Sequence, residues 1–179
     1  MENNVSPVKS ALPLGILFGI IMVLELVISY VFKIDPISAP AYGTIINVLN
    51  YLVLPAVLIF LASTNYKNKI NNGFISFGTV LKIGVVVCIL AALVYSIFNA
   101  VFSQLFPEYF EEMLNKAAIL IREKNPQLTE EQVEASISMS KKFMNPVFSI
   151  PLTILMFAFI GLIYSLIIGA IVKKDAYQN

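Results

Sequence analysis

The sequence contains no histidine, so it lacks the commonest catalytic base and the commonest metal ligand. Ser–His and Cys–His nucleophilic catalysis are therefore excluded. The single cysteine, Cys88, lies inside an apolar run, which excludes an intrachain disulfide and indicates a small core residue. Glycine-rich phosphate loops, HExxH zinc motifs and paired cysteines are missing as well. We expect no cofactor, no metal ion and no enzymatic activity.

Charge is also scarce, at 13% of the residues, whereas soluble domains carry about 25%. The net charge is +1, and the basic residues are scattered, so the basic face that nucleic acids require is missing. Apolar residues make up 58% of the chain. They are gathered into long runs that are almost free of charge, a pattern that requires a lipid solvent. The sequence predicts a multi-pass integral membrane protein whose main partner is the lipid bilayer.

Four of these runs are long enough to cross a bilayer. The first is too long for a secretory signal and is interpreted as a retained span. Polar segments flank the runs, including a head at residues 1–10, a loop at 33–41 and a tail after Lys174. We predict one all-α domain over residues 1–179, a four-helix transmembrane bundle with spans 1 to 4 at about 11–32, 42–62, 83–102 and 147–172.

The only extended hydrophilic segment, residues 106–145, separates spans 3 and 4. Pro107 suits the first position of a helix, Pro126 interrupts it, and Thr129 with Gln132 forms a capping box for a second helix. The first helix carries an apolar stripe at helical spacing: Phe110, Met113, Leu114, Ala117 and Ile121. We predict an extramembrane hairpin of two amphipathic helices. Its stripe either binds another envelope protein, or lies on the bilayer or against the second helix.

An even number of spans places both termini on the same side of the membrane. Basic residues are equally divided between the two sides, but those deep in a long loop weigh less than those beside a span. Arg122 and its neighbours lie far from both flanking spans. The excess near the spans is on the side of the termini: Lys9, Lys67, Lys69, Lys82, Lys173 and Lys174. We predict cytoplasmic termini and an outer hairpin.

Small residues recur at intervals of four in two of the spans. Span 1 has Gly15 and Gly19, and span 4 has Gly161, Ser165 and Gly169. Such spacing lets helix backbones approach closely. Because the two series lie at matching depths from the cytoplasmic side, we predict that spans 1 and 4 contact each other there. The alternative is a seam between two copies of the chain, which would make the protein a homo-oligomer.

Glu25 is the one ionisable group well inside a span, so it must be paired or protonated. Pro55 frees the backbone carbonyl of Tyr51 and adds an acceptor. Other polar side chains lie in the same outer half of the bundle: Ser29, Asn47, Asn50, Tyr51, Tyr95, Ser96, Asn99 and Thr153. We predict a buried polar cluster. It is either a small-ligand or proton site centred on Glu25, or a hydrogen-bonded plug that fixes the register of the helices.

Two stretches have a distinctive sequence. NGFISFG at residues 72–78 is followed by LKIG, and GLIYSLIIGA at 161–170 runs into Lys173 and Lys174. Together with Phe106-Pro107 before the acidic hairpin, they resemble a bacterial family of small four-span membrane proteins, classified as a domain of unknown function. The resemblance extends over nearly the whole chain. It implies a location in the bacterial cell envelope and supports the span count, and it brings no activity or catalytic residues.

Two functional hypotheses follow. The first is a non-enzymatic accessory or assembly component of the bacterial cell envelope, in the cytoplasmic (inner) membrane, whose hairpin at 106–145 contacts another envelope protein. The alternative is a small transporter or proton-coupled carrier with a polar site around Glu25 and Asn50. Four spans offer little room for a pathway unless the protein oligomerises, and paired broken helices are missing from the sequence.

Overall fold

The computed structural model describes residues 6–35 and 37–175. Residues 1–5 of the polar head, Pro36 of the first loop and residues 176–179 of the polar tail lie outside the described residues. Four helices have the length and hydropathy needed to cross a membrane: span 1 (Pro7–Val31), span 2 (Pro40–Ile70), span 3 (Phe77–Leu105) and span 4 (Pro146–Val172). The predicted all-α, four-span bundle is confirmed.

The two helices of the predicted hairpin lie between spans 3 and 4. The first hairpin helix is Pro107–Lys124 and the second is Glu130–Met144. Thr129 and Gln132 form the expected capping box, in which each side chain bonds the other residue's backbone N–H. A polar segment that caps its own helix ends in this way forms stable secondary structure outside the bilayer.

Most spans are longer than their apolar runs. Span 3 begins at Phe77, where the Ser76 hydroxyl accepts a hydrogen bond from the N–H of Thr79, six residues before the predicted start at 83. Span 2 continues to Ile70 through a π-helical turn at Tyr66–Ile70. Helical hydrogen bonding therefore extends into the interface, where water and lipid headgroups tolerate polar side chains.

The prediction that the glycines of spans 1 and 4 meet each other is wrong, because both series face span 3. A Cβ on Gly19 would lie 2.5 Å from the Cβ of Val94, and one on Gly161 would lie 2.7 Å from the carbonyl oxygen of Gly84. Span 3 is the most buried span, at 44% of its most apolar window against 28% for each of the others. It accepts helices on two sides because its own small residues line them: Gly84, Cys88, Ala91 and Ala92.

The same contacts argue against the alternative that the glycine series forms an interface between two copies of the chain. Its members are all buried within one chain: Gly15, Gly19, Gly161, Ser165 and Gly169. Depth along the membrane normal was a sound guide to the layer in which these residues lie. It did not identify the partner, because span 3 passes through the same layer.

We expect Gly161→Ala to destabilise the bundle by about 1–3 kcal/mol, since the added methyl group collides with rigid backbone rather than with a mobile side chain. Gly78→Ala is the matched control, because a Cβ at Gly78 meets no described atom within 4 Å. Unfolding in mixed detergent micelles measures both. Equal midpoints for Gly161→Ala and the wild type would contradict the close packing of spans 3 and 4.

The ends of the spans on the side of the chain termini are held together by polar contacts. The Lys67 ammonium donates a hydrogen bond to the carbonyl of Val172 at 2.8 Å, where span 4 ends. A cation is favourable there because the last carbonyls of a helix carry partial negative charge. Ile75 and Lys174 pair their backbones through two hydrogen bonds of 2.9 Å. These contacts fix span 4 against the connection between spans 2 and 3.

Candidate functional site

The predicted polar residues line one cavity of about 290 Å³ between the spans. Every span contributes to its wall. The lining includes all members of the predicted cluster except Ser96: Glu25, Ser29, Asn47, Asn50, Tyr51, Tyr95, Asn99 and Thr153. Ser96 is buried and donates a hydrogen bond of 3.4 Å to the carbonyl of Leu93 in its own helix. The cluster therefore surrounds a space rather than filling it, and the prediction that its members are buried is wrong for Asn47 and Tyr51, which are exposed.

Glu25 and Asn50 form the centre of this wall. The Asn50 amide donates a hydrogen bond to Glu25 Oε2 at 2.5 Å. Glu25 Oε1 and Asn50 Oδ1 are both buried and accept no hydrogen bond from any residue within 6–35 or 37–175. Buried acceptors in proteins nearly always have a donor. The residues that line the cavity thus include a hydrogen-bonded pair with two enclosed acceptors, which require a proton, a water molecule or a ligand with donor groups.

Asn50 is placed by a break in the regular α-helix of span 2. Residues Leu49–Val53 form a π-helical turn, closed by a hydrogen bond from the N–H of Leu54 to the carbonyl of Leu49. Turns of this kind are rare and occur often at functional sites. Pro55 follows at once and lacks the N–H that would continue the α-helical pattern. The distortion lies at the level of the cavity.

The carbonyl that Pro55 frees is not an open acceptor of the cavity. Tyr51 accepts a hydrogen bond of 3.0 Å from the hydroxyl of Tyr164 on span 4. The prediction that this carbonyl adds an acceptor to the site is therefore wrong. A polar side chain from a neighbouring span has satisfied it, and this bond joins spans 2 and 4.

Ser29 links spans 1 and 2 at the outer end of the cavity. Its hydroxyl donates to the backbone carbonyl of Glu25 at 2.9 Å and lies 2.6 Å from the hydroxyl of Tyr42. Because the single Ser29 proton points to Glu25, Tyr42 donates to Ser29. The start of span 2 is thereby held against span 1, beside the carboxylate.

The first hairpin helix covers the outer side of the cavity with Tyr109, Phe110 and Met113. Phe110 and Met113 belong to the predicted apolar stripe, whereas Leu114 lies against the second hairpin helix beside Lys141 and Met144. One part of the stripe thus lies on the side of the second hairpin helix, as one of the two alternatives predicted. The other part lines the cavity, which neither alternative predicted.

Aromatic rings join this cover to the spans. Phe102, at 6% exposure, stands at the centre of an outer aromatic cluster, and its ring centroid lies 5.2 Å from that of Tyr30 and 4.8 Å from that of Phe106. The cluster draws on span 1, span 3 and the hairpin, and consists of Tyr30, Phe98, Phe102, Phe106, Tyr109 and Phe110. Tilted and edge-on ring pairs of this kind add stability beyond their buried area.

An ion pair between a buried carboxylate and a partly exposed lysine also holds the hairpin, and no pattern in the sequence predicted it. Lys116 of the first hairpin helix contacts Asp35 in the loop after span 1 at 2.9 Å. The Asp35 carboxylate accepts further hydrogen bonds from the N–H groups of Ser38 at 2.7 Å and Ile37 at 3.0 Å. Burial alone would raise the pKa of Asp35, but the bonds from Lys116 and Ser38 outweigh it and lower the pKa to about 2.

We expect Asp35→Asn to loosen the hairpin, which hydrogen exchange along the first hairpin helix would reveal as faster exchange at neutral pH. The wild type should behave in the same way only in acid. Because the pKa of Asp35 is lowered from 3.8 to about 2, its contribution is complete above the ordinary value and is lost as the pH falls through about 2.

Glu130→Gln is the control for this prediction, since it breaks the exposed pair between Arg122 and Glu130 within the hairpin. Exposed pairs contribute little to stability. If the two variants exchange equally slowly, Asp35 does not hold the hairpin.

On the side of the chain termini, the cavity is closed by the core of the bundle. Phe157 lines the cavity, and its ring centroid lies 5.8 Å from that of Phe18, which is fully buried. Beyond this pair, fully buried side chains from spans 2 and 3 fill the interior: Ile59, Val80, Ile83, Val87 and Ala91. On the outer side, a second cavity of about 410 Å³ shares Tyr109 and Met113 with the first and extends to Lys33 and Lys116. The cavity therefore extends towards the hairpin.

No curated protein and no solved structure matches the chain. A family model described as "Protein of unknown function (DUF4199)" matches residues 13–174, a range that includes the cavity, the hairpin and most of each span. This match confirms the resemblance to a family of unknown function. The chain belongs to the DUF4199 family.

Proposed function

We propose that this protein is a non-enzymatic accessory component of the bacterial cytoplasmic (inner) membrane that binds a small polar ligand between its spans, beneath an outer hairpin. The observation that carries the proposal is the cavity around Glu25 and Asn50, to which all four spans contribute. A plug that only fixed helix register would satisfy its own polar atoms. Here two buried oxygens remain without a donor among the described residues.

The accessory role is supported by the way the hairpin is exposed. The first hairpin helix is held to the spans by the outer aromatic cluster and by Lys116, whereas the second buries only Val133 among its fifteen residues. A ligand in the cavity would touch Tyr109, Phe110 and Met113, so its binding is coupled to the position of the hairpin. The free second helix, within 106–145, is then the surface that contacts another envelope protein.

The orientation belongs to the same proposal, with both termini in the cytoplasm and the hairpin outside. It is supported by the basic residues near the spans on the side of the termini. Lys67 and Lys174 of that set lie at the ends of spans 2 and 4 on the side of the chain termini.

The alternative, a small transporter or proton-coupled carrier around Glu25 and Asn50, is less well supported. A transport site must communicate with both sides of the membrane, and the side below Phe157 is filled by buried side chains. If the protein is a carrier, Glu25→Gln should abolish uptake or proton flux in proteoliposomes.

Native mass spectrometry tests the proposal directly. Protein extracted from its host membrane into mild detergent should retain a bound small molecule in the wild type and lose it in Glu25→Gln. Glu123→Gln, on an exposed face of the first hairpin helix, should retain it and serves as the matched control. Identical spectra of bound small molecules from the wild type and Glu25→Gln would refute a ligand site at Glu25.

A further inference from the structure

We infer that the ligand is a small organic cation with an ammonium group, bound by Glu25 and Asn50 inside a ring of aromatic side chains. This inference rests on the proposed function, because it names the chemical class of the molecule that occupies the same cavity. Charge, hydrogen-bond geometry and aromatic lining each point to this class.

Charge is the first line of support. Glu25 is the only charged side chain among the described residues that line the cavity. Two basic residues, Lys33 and Lys116, line the neighbouring cavity, and Lys116 is already engaged by Asp35 and by Glu112 at 2.8 Å. A carboxylate in a bilayer without a basic partner is costly. A positively charged ligand supplies the missing partner, whereas an anionic ligand would be repelled.

The hydrogen-bond pattern indicates a cation that carries hydrogen-bond donors. Glu25 Oε1 and Asn50 Oδ1 are both acceptors, and both lack a donor within the described chain. An alkylammonium group has up to three N–H donors in a compact head, which matches two acceptors on one hydrogen-bonded pair of side chains. Asn50 is 7% exposed, and its side chain is fixed by the bond to Glu25, so the second acceptor is already in position.

The rest of the wall is aromatic. Six rings line the cavity: Tyr42, Tyr51, Tyr95, Tyr109, Phe110 and Phe157. The face of an aromatic ring attracts a cation within about 6 Å, and such cages are a recurrent way to bind organic ammonium groups. The volume of about 290 Å³ is near the lower end of ligand sites, which fits a small molecule.

A bare metal ion fits the wall less well. No group of three or more His, Cys, Asp or Glu side chains that is able to hold a metal ion occurs among the described residues. Divalent cations prefer several oxygen ligands with more than one carboxylate, and Glu25 is the only carboxylate among the described residues that line the cavity. The remaining competitor is a protonated Glu25 with a neutral ligand, and the test below separates it from an organic cation.

The test uses the full chain in lipid nanodiscs, n-butylammonium chloride as the probe, and 1-butanol as its neutral counterpart of similar shape. Ionic strength is held constant with potassium chloride. A ligand that binds the folded state raises the midpoint of thermal unfolding with its concentration. We expect a saturable rise with n-butylammonium and at least tenfold weaker apparent affinity for 1-butanol. Equal effects of the two probes in the wild type would overturn the inference, and this comparison requires no variant to fold.

Substitutions in the cavity then test whether n-butylammonium binds there. Glu25→Gln should weaken the apparent affinity for n-butylammonium at least tenfold, and Tyr95→Leu several-fold, whereas Tyr95→Phe keeps the ring and should resemble the wild type. Glu123→Gln is the control for charge alone. Undiminished affinity in Glu25→Gln would contradict the assignment.

The two proposals fail in different ways. If n-butylammonium has no effect but native mass spectrometry finds a neutral molecule that depends on Glu25, the ligand class is wrong and the ligand-binding function stands. If neither experiment shows a Glu25-dependent ligand, the proposed function is wrong as well.

Discussion

Replacing Asn50 with leucine should destabilise the bundle by about 2–3 kcal/mol, because Glu25 then loses its donor while it stays between the spans. The leucine side chain is similar in size to asparagine, so the lost hydrogen bond rather than a packing void dominates the change. Unfolding in mixed detergent micelles, followed by circular dichroism, measures the difference from the wild type.

The double variant Glu25→Leu with Asn50→Leu should recover most of this loss. When both partners of a buried polar pair become apolar, no desolvated group is left without a partner. The pair is therefore expected to be dispensable for stability and required for ligand binding. A double variant less stable than Asn50→Leu would instead indicate that the pair exists to hold the helices in register.

Phe102→Ala should cost about 3 kcal/mol and should also release the hairpin. The ring contacts Tyr30, Phe106 and Tyr109 and is 6% exposed, so its removal leaves a cavity where span 1, span 3 and the hairpin meet. The value is at the lower end for a buried phenylalanine, because lipid replaces part of the lost contacts. Hydrogen exchange should quicken along the first hairpin helix.

Phe148→Ala is the matched control for this variant, since Phe148 near the start of span 4 is 58% exposed on the outside of the bundle. It should unfold within about 0.5 kcal/mol of the wild type, as exposed substitutions usually do. A hairpin that exchanges at the wild-type rate in Phe102→Ala would show that the outer aromatic cluster does not hold it.

The spans and the hairpin were predictable because each depends on local sequence. A run of apolar residues that matches the bilayer thickness has no other stable arrangement in lipid. The capping box at Thr129 and Gln132 is likewise a short-range signal, and the second hairpin helix begins where it predicts. The helix ends were less predictable, as at Phe77, because hydropathy marks the hydrocarbon region and not the end of helical hydrogen bonding.

Depth in the membrane was the most useful long-range signal, and it had a clear limit. Polar side chains at one depth turn away from lipid, so Glu25, Asn50 and Asn99 were expected to share a layer, and they line one cavity. The same reasoning placed Gly15 and Gly169 at one depth but assigned them to each other. Depth does not give rotation about the helix axis, so it cannot choose between two neighbouring helices.

No comparable sequence signal predicted the contacts between the hairpin and the spans. Asp35 and Lys116 lie 81 residues apart in the chain, and both are in segments where water accepts charge on any face. Tyr109 did not stand out, because an aromatic residue on an amphipathic helix usually packs against its nearest neighbours. The cover of the cavity therefore became visible only in three dimensions.

We propose that the cavity around Glu25 opens to the outside beneath the hairpin and favours cations. It is tested by single-cysteine labelling in intact cells, in a Cys88→Ala background. Asn99→Cys, in the cavity wall, is exposed from outside to a methanethiosulfonate with a trimethylammonium group and to one with a sulfonate group. We expect faster reaction with the cationic reagent and slower reaction in a Glu25→Gln background. Reaction only after the cells are permeabilised, or faster reaction with the sulfonate, would contradict it.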